Sequence, residues 1–160
     1  MKRSFRIGFS FGLTTGIITT LGLMVGLHSS TYDKIAVIGG ILIIAIADSL
    51  SESMGIHISL ETENHLSNKA IWEATVYTLA NKFIFSSIFI IPVLLFELTT
   101  AIIISIMIGL YLIFVLSIVI ARSRNEPPLR VVIEHLAISV VVIILTHFIG
   151  QWIHYTFGCL

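Results

Sequence analysis

The side chains best equipped for chemistry gather in one stretch of the chain: Asp48, Glu52, Met54, His57, Glu61, Glu63, His65 and Glu73. Carboxylates mixed with imidazoles suit Fe(II), Mn(II) or Zn(II) better than an alkali ion, and the Met54 thioether adds softness. On a helix, Asp48, Glu52, Ser59 and Glu63 share one face, while Met54, His57, Glu61 and His65 fall roughly opposite. One continuous helix cannot aim both sets at a single ion. Two faces would serve two sites, or one site and a subunit interface, unless Gly55 breaks the helix and re-aims the second set. Taken singly, His57, Glu61, Glu63 and His65 also fit an ordinary solvated helix end. As a cluster beside Asp48 and Glu52 they point to a metal ion, and the whole set is the expected source of ligands.

A second group lies deep in apolar sequence. Asp48 is 14 positions from Lys34, and Lys82 is 14 positions from Phe96. At the rise of an α-helix, each is roughly 21 Å from the same membrane boundary. Thr15, counted from Ser29, reaches that layer too. Asp48 and Lys82 allow two readings: a structural ion pair with Lys82 partly snorkelling, or a site where a transported ion competes with the lysine for the carboxylate. Thr15, Thr19, Thr20 and Ser49 are candidate pore-lining hydroxyls, although the threonines equally fit bonds to their own helix backbone. Glu73, Tyr77 and Asn81, at four-residue steps, either extend an entry vestibule or hydrogen-bond a neighbouring helix. His147, Gln151 and His154 share a face as interhelical bonds and interface anchors, with His147 a candidate proton carrier.

These residues need elements to hold them, and composition says in which solvent. Hydrophobic residues make up 56% of the chain and charged residues 11%. A soluble domain carries roughly 25% charged residues, so most of this surface must face something other than water. The apolar runs predict five transmembrane helices over about 7–27, 35–60, 71–96, 98–121 and 130–157, in one all-α domain covering 1–160. The first run is too long for a signal peptide and reads as a retained helix. Lys2, Arg3, Arg6, Lys69, Arg122, Arg124 and Arg130 then fall on one side, against Lys34 alone on the other. The basic side is the cytoplasmic one, which puts the N-terminus in the cytoplasm and the C-terminus outside. Trp152 and Tyr155 suit the outer aromatic belt. Gly8, Gly12 and Gly16 permit close helix approach and dimerisation, and Pro92 predicts a kink.

Net charge is zero, so no basic field argues for a nucleic-acid partner. The single cysteine, Cys159, excludes a disulfide framework within one chain. There is no glycine-rich phosphate loop, zinc-protease motif or convincing nucleophile–base pair, so neither an enzyme nor a bound cofactor is expected. The expected partners are the bilayer, a divalent metal ion and protons. The expected location is the cell membrane, with a vacuolar-type membrane as the alternative. Two functions compete: a transporter of divalent transition metals, and a non-transporting scaffold or metal-sensing subunit.

The segment GLTTGIITTLGLMVGL, Gly12 to Leu27, is similar to the first helix of the vacuolar iron transporter family. The resemblance extends in order through GGILIIAIADSLSES, FIFSSIFIIPVLLF, ARSRNEPPLR and ILTHFIGQWI. It implies a five-helix fold assembled as a homodimer, with helices one and two of both subunits lining the route. It implies export of Fe(II), and often Mn(II), from the cytoplasm in exchange for protons. Gly16, Thr19, Thr20, Ser49 and the helix-two acids would then face the route. Three departures stand out. Thr15 occupies the place of a family aspartate, and Met54 or Glu52 that of a family glutamate. The family's acidic cytoplasmic insert shrinks to about Glu61 through Lys69.

Overall fold

The structure, a computed structural model, describes residues 3–62 and 66–158. Five helices are long and apolar enough to cross a membrane. They are α1 (Arg3–Thr31), α2 (Lys34–Glu61), α3 (Asn68–Leu95), α4 (Leu98–Arg124) and α5 (Pro128–Phe157). No strand occurs among the described residues. Each helix runs a few residues past the predicted apolar segment at one or both ends, because local chemistry rather than hydropathy stops it. Tyr32 ends α1 in the left-handed region (φ 53°). The Asp33 carboxylate then accepts from the Ile35 N–H at 2.8 Å and opens α2. Ser67 caps α3. Asn125 closes α4 at φ 55°, as a left-handed asparagine commonly does, and Pro128 starts α5 where a missing N–H costs nothing.

Two interruptions matter. Gly55 does not break the helix: α2 continues through it, and its irregularity is a π-helical turn over Ile44–Asp48, ending on the carboxylate of interest. Such turns insert one residue into the helical phase and recur at functional sites. Upstream of Pro92 the helix is interrupted, where regular helix stops at Ser87 and resumes at Ile90. The proline ring clashes with the carbonyl four residues earlier, that of Ile88, and cannot donate to it.

The chain packs as two compact units. One comprises Met1–Thr20 with Ile41–Phe89, the other Leu21–Gly40 with Ile90–Leu160, so α1, α2 and α3 each supply residues to both. In the first unit α1 lies against α3 with almost no side chain between them. A Cβ on Gly8 would sit 2.5 Å from Ala74 O, and one on Gly12 would sit 2.6 Å from Thr78 O. This glycine stripe, which the sequence also offered for dimerisation, is occupied within the chain. Leu60, Ile71 and Ala74 form the apolar core between α2 and α3, with Ile7, Ile56 and Leu66 against it. In the second unit Gly150 of α5 rests on the Gly26 carbonyl and on Ser29, and Ser117 of α4 bonds His135 Nδ1 of α5 at 2.8 Å. The outward faces of α4 and α5 carry exposed Met107, Tyr111, Leu145, Phe148 and Ile149. Such a surface is costly in water and free of that cost in hydrocarbon.

Candidate cation site

The charged centre of the first unit is built by α2 and α3. Lys82 is 0% exposed, and its Nζ lies 2.6 Å from Asp48 Oδ2 and 2.6 Å from Glu52 Oε1. The carboxylates are one helical turn apart, and the π turn just before Asp48 sets the phase that aims both at one point. The trio carries a formal charge of minus one. Its second carboxylate, Glu52, is a partner that the ion-pair reading of Asp48 and Lys82 alone did not include. The signal was present in the sequence, since Glu52 follows Asp48 by one turn.

Lys82 is held there by backbone packing. The Cα of Lys82 would lie 3.3 Å from a Cβ on Gly16, and Ser86 Oγ donates to Gly16 O at 3.3 Å. A larger residue at either glycine of this layer would lift α3 away. Three buried oxygens of the same unit have no hydrogen-bond partner: Glu52 Oε2, Ser49 Oγ and Thr20 Oγ1. Buried polar atoms are almost always paired, so this unused acceptor capacity is unusual and suits a hard, oxygen-binding cation. Thr20 and Ser49 are fully buried, whereas Thr15 and Thr19 turn back on their own helix, donating to Phe11 O and Thr15 O.

The other expected ligands do not converge here. Among the described residues, no three His, Cys, Asp or Glu side chains form a metal-holding group. Met54 points away from the packed face and is 53% exposed. His57, placed opposite Asp48 by simple helical spacing, is instead buried on the side that packs against α3. Its Nδ1 lies 2.9 Å from Thr75 Oγ1, which also donates to Ile71 O. Its Nε2 lies 3.4 Å from Glu61 Oε1, and its ring packs on Trp72 at 4.5 Å. Glu73 Oε2 accepts from Ser4 Oγ at 2.9 Å, and Asn81 bonds its own helix at Tyr77 O. The Tyr77 ring lies edge-on to Phe5, and Glu73 and Tyr77 also line a surface pocket with Lys69, Trp72 and Val76. Glu63 and His65 lie outside the described residues.

His57 tests this division directly. Its replacement by alanine removes the bond to Thr75 and the Trp72 contact, and should cost about 1–3 kcal/mol, the usual penalty for breaking a buried polar pair. Thermal unfolding in detergent should show that loss.

No family model, curated protein or solved structure matches this chain.

Proposed function

We propose that this protein is a membrane transporter that exports a divalent transition metal, Fe(II) or Mn(II), from the cytoplasm in exchange for protons. One observation carries the reading: two carboxylates converge within 2.6 Å on a single point occupied by a buried cation, the Lys82 ammonium. That point already has the charge and oxygen donors a metal cation needs. Lys82 is the internal stand-in. A dication entering the site displaces the ammonium from Asp48 and Glu52 and gains, in addition, the unpaired Glu52 Oε2. Protonation of the carboxylates weakens their hold on the metal and releases it. Five spans, an N-terminus in the cytoplasm and a homodimer complete the proposal, following the resemblance to vacuolar iron transporters and the distribution of basic residues.

A second reading rests on the same geometry. Lys82 pairs with both carboxylates so closely that the trio also fits a purely structural ion network in a scaffold or metal-sensing subunit. Flux decides between them. Purified protein in liposomes should take up Mn(II) or Fe(II) under a pH gradient, and Asp48→Asn with Glu52→Gln should abolish that uptake. Unchanged transport by the double variant removes Asp48 and Glu52 from the mechanism. No flux by the folded wild-type protein leaves the scaffold or sensor.

A further inference from the structure

The second unit contains a cavity of about 540 Å³ between α1, α4 and α5, open on the outward side where Ile103, Ile144 and Phe148 are exposed. Its walls are almost wholly apolar, with Ile102, Ile106, Ile143 and Phe148 among them, yet His28 and His147 both line it. Each ring is positioned by a hydroxyl. His147 Nδ1 lies 2.7 Å from Ser29 Oγ, and His28 Nε2 lies 3.2 Å from Thr99 Oγ1. Ser29 is buried, and Gly150 allows α5 to approach it closely enough for the first contact. Each imidazole thus commits one nitrogen and keeps the other.

The charged groups of this unit lie at helix ends and connections. Asp33 is bonded to the Ile35 N–H, Lys34 donates to Phe96 O, and Glu97 precedes α4. Arg122, Arg124, Glu126, Arg130 and Glu134 belong to the end of α4, the loop after it and the start of α5. Facing His28 on its own helix end is Tyr32, whose ring lies 5.4 Å from it and 5.4 Å from His154 of α5. His154 Nδ1 donates to Ser30 O. No Asp, Glu, Lys or Arg lines the cavity. Imidazole is the side chain whose ordinary titration falls between about pH 5 and 8, so these two rings are the groups there suited to reversible protonation.

We propose that His28 and His147 form a proton-binding station, which takes up protons from the membrane face bearing the α1–α2 connection. The pair shares one proton at a time, because two imidazolium cations in one apolar cavity repel. Uptake converts one neutral ring to imidazolium, and loss of that proton restores it, with no other reactant involved. The assignment rests on the proton-exchange reading for its role in transport, but the binding of the proton itself does not.

The test uses the full chain in liposomes, with His28→Gln, His147→Gln and the double variant. Glutamine keeps a group able to bond Ser29 or Thr99, and circular dichroism checks folding. Nitrogen NMR of labelled imidazoles, recorded across about pH 5 to 8, should show ring protonation that changes with pH, and His147→Gln should move the His28 midpoint. In flux assays the double variant should carry Mn(II) without response to the pH gradient while still binding it at equilibrium. Rings that hold one protonation state throughout that range, or midpoints that ignore each other, overturn the station. So does a double variant that keeps its gradient response. If the wild-type protein carries no metal at all, the exporter reading fails, and the imidazole titration alone decides the station.

Discussion

Lys82→Met should produce a protein that is unstable without divalent metal and recovers with it. Removing the ammonium leaves Asp48 and Glu52 aimed at the same point with nothing between them. Breaking a buried ion network by deleting one partner costs about 3–5 kcal/mol, and the lower end applies here because Asp48 retains 36% side-chain exposure. A dication restores the missing positive charge. Thermal unfolding in detergent, with and without Mn(II), measures both effects. The triple variant Lys82→Met, Asp48→Asn, Glu52→Gln removes the repulsion along with the site, so it should be more stable than Lys82→Met and indifferent to metal. Equal metal rescue of the single and triple variants would place the bound cation elsewhere. No rescue of the single variant would favour a purely structural network.

Gly12→Ala should damage the fold and the charged site together. The new carbon would meet Thr78 O at 2.6 Å and Lys82 N at 3.1 Å, both backbone atoms of α3 that cannot rotate aside. Relief requires α1 and α3 to separate, at a cost of about 1–3 kcal/mol for overpacking. The same displacement moves Lys82 from its carboxylates, so loss of stability and loss of metal binding should appear together. Gly55→Ala is the control. No atom lies within 4 Å of a Cβ there, and the better helix propensity of alanine should stabilise by about 1 kcal/mol. Unfolding midpoints of the two variants should therefore move in opposite directions. If Gly12→Ala is neutral, the close α1–α3 contact does not exist in the bilayer.

Much of this architecture is carried by local properties of the chain. Hydropathy sums along consecutive residues, so five runs of membrane length declare five helices whatever their neighbours. Asp33, Ser67, Asn125 and Pro128 mark the helix boundaries, because a cap or a missing N–H acts on backbone a few residues away. The rarity of charge inside those runs marked Asp48 and Lys82 as exceptional for the same reason.

Facing and pairing depend on rotational phase, which is not local. The π turn at Ile44–Asp48 advances the following part of α2 by about 100° relative to an unbroken α-helix. No residue in that apolar run announces it, and it alters the register between the first part of α2 and the stretch that begins at Asp48. Tertiary packing decided that Lys82 of α3 is the cation on which both carboxylates meet, that His57 turns inward to Thr75, and that Met54 turns out. It also decided how the glycine stripe is used. Gly8, Gly12 and Gly16 declare that something comes close to α1, because the absence of a side chain is visible in sequence. That the neighbour is the backbone of α3 was settled by the whole packed unit, since close approach depends on matching surfaces on two helices distant in the chain.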